Sequence, residues 1–189
     1  MKVEAEILRG TPLTKLMEES RSAAIVCVGS IGLNHASRGG VGSLSAALAA
    51  SALCPVAVIR RPVGRRATAR VSRVVVQADD NAELRQAFEE ARLRQAPLRA
   101  ISVSPAAGPD DVDGKRLAQA QLNRRIARWT RLYPDVKVES AIVRGSVDQY
   151  LAAHEEPDQL FVTDARACYD LCGAHKSGRS VLTTRSGNL

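Results

Sequence analysis

Three glycines and two serines carry the clearest chemical signal in this sequence. Gly29-Ser30-Ile31-Gly32 follows the apolar stretch Ile25-Val26-Cys27-Val28. After nine intervening residues Gly42-Ser43 opens an Ala/Leu-rich segment that contains Ser45. Glycine lets a loop adopt positive φ and lets backbone approach a ligand, while an open helix N-terminus offers unpaired N–H groups at the positive end of its dipole. A polyphosphate needs those groups. Any one of these glycines is explained as well by an ordinary turn, so the signal lies in the full spacing of Gly29, Gly32, Gly42 and Ser43. The pattern is neither a Walker A loop, which requires Gly-Lys-Ser/Thr, nor the tighter dinucleotide fingerprint. Ser30, Ser43 and Ser45 read as phosphate donors or helix caps.

No residues assemble into a convincing catalytic set. The three histidines, His35, His154 and His175, have no evident nucleophile to serve. His35 lies inside the glycine loop, where an exposed loop histidine is the plainer reading, and Arg38 either adds charge to a bound phosphate or is simply solvated. Cys168, Cys172 and His175 lack a clean zinc spacing and a nearby fourth ligand, so reduced thiols without metal are expected. Cys27 and Cys54 sit in apolar runs and read as small core hydrophobes.

The elements that must hold the glycine loop follow from periodicity. With 45% hydrophobic but only 3% aromatic residues in 189, the core has to be built from Ala, Val, Leu and Ile, which suits an α/β protein. A shift of 135 residues lays Val3-Glu4-Ala5-Glu6-Ile7-Leu8-Arg9-Gly10 over Val138-Glu139-Ser140-Ala141-Ile142-Val143-Arg144-Gly145, with five of eight positions identical. The same register carries Ile25–Val28 onto Leu160–Thr163. This is an internal duplication with the period of a domain. The first copy reads β-α-β-α-β, with strands Val3–Leu8, Ala24–Val28 and Val56–Arg60 and helices near Pro12–Glu19 and Ser43–Leu53. The second reads β-α-β-α-β-α-β with a last strand at Ser180–Thr184. Its strands begin at Arg73–Ala78 and Leu98–Ser104. One of its helices spans about Ala82–Gln95 and is stopped by Pro97, and another carries Leu122, Ile126, Trp129 and Tyr133. The expected organisation is a half-domain over residues 1–61, a basic linker over 62–72, and a second, degenerate domain over 73–189.

The net charge of +7 concentrates in Arg60-Arg61-Pro62-Val63-Gly64-Arg65-Arg66, which has no aromatic interleaving and reads as a solvated linker, so no specific nucleic-acid binding is expected. No apolar run reaches the ~18 residues of a membrane span, and Met1 is followed by charges in place of a signal peptide, so a cytoplasmic protein is expected.

With Ser45-Ala46-Ala47-Leu48 and Cys54-Pro55-Val56-Ala57-Val58-Ile59-Arg60 following the glycine pattern, the chain resembles the universal stress protein family. Residues 88–100 are likewise similar to the first helix and second strand of its tandem members. The resemblance implies a doubly wound, mostly parallel sheet of the adenine nucleotide alpha hydrolase-like type, here as one partial and one near-complete copy. It implies ATP as the ligand, held by Gly29, Gly32, Gly42, Ser43 and Ser45, in a stress-associated regulator without rapid turnover. A nucleotide-free interaction or dimerisation module and a slow ATP hydrolase are the alternatives. The departures are specific. In the family an Asp ending the first strand holds the adenosine, but the first copy lacks that strand. The second copy has Asp79 in the matching place, yet Asp164 replaces the first loop glycine, and its carboxylate would repel phosphate. Weak ATP binding is therefore expected. Family members pair through the last strand of the domain, so Val56–Arg60 is expected to join domains or copies of the chain. Strand Val3–Leu8, deprived of its usual neighbours, is expected to find a substitute partner or stay loosely held.

Overall fold

A computed structural model describes residues 2–29, 43–59, 70–104, 112–154, 156, 158–164 and 180–184. Its strands are β1 (Val26–Gly29), β2 (Val56–Ile59), β3 (Arg73–Gln77), β4 (Leu98–Ser104), β5 (Val138–Arg144), β6 (Gln159–Thr163) and β7 (Ser180–Thr183). The helices are α1 (Pro12–Glu19), α2 (Ser43–Ser51), α3 (Asn81–Arg94), α4 (Val112–Leu132) and α5 (Val147–Ala153). The strands form one seven-stranded sheet in the order β1-β2-β7-β6-β3-β4-β5. Every pairing is parallel except that of β2 with β7.

Local sequence sets the element ends. Asp80 caps α3 by accepting a hydrogen bond from the Ala82 N–H, and Gln95 closes the helix in the left-handed conformation at φ 53°. Ser146 caps α5 in a reciprocal box with Gln149. Gly145 before it takes φ +89°, and a Cβ there would lie 2.4 Å from Gln149 Oε1. Gly10, 135 residues earlier in the duplicated stretch, also takes positive φ before its helix.

Helices cover both faces of the sheet, as alternation along the strands requires. On one face Val74, Val76, Leu98, Ala100, Leu160, Val162, Leu182 and Ala57 pack beneath α3 and α4. Phe88 of α3 meets Trp129 and Tyr133 there, with ring centroids 6.2 and 5.5 Å away, so three of the chain's few aromatics lock these two helices together. On the other face α1 and α2 cover Val26, Val56, Val58 and Val181, and α5 covers Val75, Ile101, Val143 and Phe161.

Two expectations fail. Residues 3–8 form no strand and join no ladder. Ile7 is 96% and Val3 78% exposed, because a strand is stable only against a neighbour and β1, not this segment, forms that edge of the sheet. Cys27 is exposed, while Cys54 is buried as expected. The physical reason is its register: Cys27 sits beside Ala57 on the face covered by α3 and α4, and that cover reaches Ala57 of β2 but not β1. The Val56–Arg60 strand is present as β2, with Arg60 outside the described residues, and it is paired within the chain. Val56, Ala57 and Val58 align with Thr183, Leu182 and Val181 of β7. The Thr183 hydroxyl accepts from the Val56 N–H at 3.1 Å and lies 3.3 Å from the Val56 carbonyl.

Candidate functional site

In an open parallel sheet, ligands bind beyond the carboxyl ends of strands, where neighbouring connections run in opposite directions. Two strand ends in this sheet bear on that rule. Because β2 and β7 are antiparallel, the ends of β1 and β3 open at opposite edges of the sheet.

At the first edge β1 finishes at Gly29 and α2 begins at Ser43. Buried Ser45, in the first turn of α2, donates its hydroxyl hydrogen to the Gly29 carbonyl at 2.9 Å. This bond draws the strand end and the helix start together. It also commits the Ser45 proton to protein, leaving its oxygen as an acceptor only. Gly29, Ser43 and Ser45 are thus brought together. Gly32 and Gly42 lie outside the described residues, as do Ser30, His35 and Arg38.

At the second edge β3 and β6 lie side by side, and their connections diverge towards β4 and β7. Four carboxylates gather at this switch point: Asp79 and Asp80 after β3, Glu83 in the first turn of α3, and Asp164 after β6. Arg125 of α4 donates to the Ala78 carbonyl at 2.9 Å and to Asp79 at 3.3 Å. Asp79 also accepts from the Gln77 side chain. Glu83 is buried, and burial, with help from Asp164, Asp80 and Asp79, raises its pKa from 4.5 to about 7 although a backbone hydrogen bond from Asp164 opposes the shift. The sequence reading singled out Asp79 and Asp164 but not Glu83. Its one available signal was the Asp80-x-x-Glu83 spacing, which resembles a capping box.

His154 stacks on Tyr150 with ring centroids 4.2 Å apart, at the close of α5. Cys168, Cys172 and His175 lie outside the described residues. Among the described residues, no three His, Cys, Asp or Glu side chains converge to hold a metal ion, and no helix is long and apolar enough to cross a membrane.

The fold and its strand-end crevices define a doubly wound α/β protein. No family model matches the chain. Relatives do. It is 56% identical over 191 aligned residues to universal stress protein MT3220 of Mycobacterium tuberculosis, an alignment covering all of this chain and 71% of that protein. To universal stress protein MT2087 of the same organism it is 43% identical over 159 residues, covering 80% of this chain and 54% of the relative. A crystal structure of a universal stress protein from Archaeoglobus fulgidus has a TM-score of 0.63 at 16% identity, covering 98% of this chain and 71% of that one. The chain belongs to the universal stress protein family.

Proposed function

We propose that this chain is a stress-associated regulatory protein that binds an adenine nucleotide weakly and without rapid turnover, with the phosphates at the Gly29–Ser43 loop. The observation that carries this reading is the Ser45–Gly29 hydrogen bond, which sets the strand end and the helix start as the two anchors of the glycine loop. Backbone N–H groups of the loop and of the first turn of α2 are the phosphate donors in this reading, and Gly32 and Gly42 keep that space free of side chains. The acidic edge beside β3 and β6 serves no phosphate, since its carboxylates leave an excess of negative charge that Arg125 offsets only in part. The reading treats residues 1–61 as part of one family domain and 73–189 as another. It is supported by the 135-residue duplication and by the positive φ of both Gly10 and Gly145.

Thermal unfolding with millimolar ATP tests the proposal. A ligand present at a hundred times its dissociation constant adds about 2.7 kcal/mol of stability. A smaller shift is expected, because phosphate contacts in water are screened. Gly32→Asp and Gly42→Asp, each placing a side chain and a negative charge in the cradle, should abolish it. Tight binding that survives both substitutions would place the nucleotide elsewhere, and measured rapid ATP turnover would replace this reading with the hydrolase.

A further inference from the structure

We propose that residues 3–9 of one copy of this chain add as an antiparallel strand to the free outer edge of β5 in a second copy. Both surfaces lack a strand partner among the described residues. β5 pairs with β4 alone, and Val3 and Ile7 are the most exposed aliphatic side chains.

The edge is built to receive a strand. The Leu98 N–H donates to the Lys137 carbonyl at 2.8 Å. Backbone polar groups alternate sides along a strand, so those of Ser140, Ile142 and Arg144 point away from β4. A groove of about 680 Å³ lies beside them, lined by residues 139–144 and by Gln149, Tyr150 and His154. The segment in turn has strand-forming composition, being the duplicate of β5 itself.

Charge selects the orientation. Parallel pairing in the register of the duplication would set Glu4 against Glu139 and Arg9 against Arg144, like charges directly opposed. An antiparallel register that sets Glu4 opposite Arg144 also sets Ala5 opposite Val143, Ile7 opposite Ala141 and Arg9 opposite Glu139. Glu4 and Arg9 then each meet an opposite charge, Glu6 falls opposite Ile142, and Ala5 and Ile7 lie on the face that α5 covers. The bonds from Arg99 and Arg73 to Glu139 all use Oε2, which leaves Oε1 for Arg9.

The occupant is a second copy because the segment cannot serve its own β5. It precedes α1, which packs with α2 beside β1 and β2, whereas β5 is the opposite edge strand. Six strand spacings separate those edges by roughly 29 Å, about the full extended reach of residues 3–10, with nothing left to pair. Reciprocal exchange closes a dimer; one-way exchange builds longer chains.

Sedimentation velocity of the full chain over a range of concentrations tests this, together with hydrogen exchange at Ser140, Ile142 and Arg144. Association is expected, with protection of these three amides rising with concentration. Ile7→Lys and Arg144→Glu should each weaken association by ~5-fold or more, and Glu4→Arg combined with Arg144→Glu should restore it. A chain that stays monomeric at several hundred micromolar would overturn the proposal, as would association indifferent to Ile7→Lys or a double charge swap that fails to recover binding.

Discussion

Replacing Glu83 by Gln should stabilise the protein at pH 8 and leave it unchanged near pH 4. The buried Glu83 carboxyl has its pKa raised from 4.5 to about 7, first by burial and then by the charges of Asp164, Asp80 and Asp79. Between those two pH values the folded chain holds a proton that the unfolded chain has released. Stability therefore falls as pH rises from about 4.5 to about 7 and levels off above. At about 1.4 kcal/mol for each pH unit between the two values, the ceiling on this penalty is about 3 kcal/mol. The neighbouring Asp79 and Asp80 are exposed, so solvent screening reduces this to about 1–2 kcal/mol. Gln keeps the carbonyl that accepts the Asp164 N–H and removes the charge. Urea unfolding of both proteins at pH 4, 6 and 8 measures the difference, and the other titrating groups cancel in the comparison to first order. Equal effects at all three pH values, or a loss of stability at pH 8, would refute the account of Glu83 as a carboxylate ionised against its surroundings.

Gly145→Ala should cost about 1–3 kcal/mol in denaturant unfolding, since the new Cβ would need a positive φ of +89° and would meet Gln149 Oε1 in the α5 capping box. In hydrogen exchange at low micromolar concentration, amides of residues 3–8 should exchange at close to unfolded rates while those of β3 and β4 remain protected; comparable protection of both would mean that the segment is paired in the monomer.

The elements from Arg73 to Thr163 were legible in the sequence because α3 and α4 carry one-sided apolar patterns while β3 and β6 are short, continuous apolar runs buried on both faces. In α3, Leu84, Ala87, Phe88 and Ala91 are buried and Pro97 stands soon beyond its end. What could not be read locally was whatever depends on a neighbour across the sheet. Val3–Leu8 has the composition of a strand and duplicates one, yet without a partner ladder it forms none. Cys27 sits in an apolar run, and only the lateral extent of the α3 and α4 layer decides that it is exposed. Glu83 looks like an ordinary first-turn acid until β6 brings Asp164 beside it. The glycine loop was visible as a spacing, but the use of the Ser45 hydroxyl to hold Gly29 needed the fold.

The antiparallel junction of β2 and β7 has a consequence for ligand binding that neither half shows alone. The end of β1 offers the glycine loop and the start of α2, groups suited to phosphate. The end of β3 offers Asp79, the residue in the place where the family's adenosine contact is expected, but it is surrounded by carboxylates. If all seven strands ran the same way, these two incomplete sites would open on the same side of the sheet. They do not, because reversal at β2 and β7 turns the Gly29 end to one edge of the sheet and the Asp79 end to the other. A ligand at either strand end therefore has only that end's groups to contact. In the proposed reading the phosphates lie at the Gly29 end, on the opposite side of the sheet from Asp79, Glu83 and Asp164. Glu83→Gln should accordingly change the pH dependence of stability without changing any ATP-induced stabilisation, whereas substitutions at Gly32 or Gly42 should do the reverse.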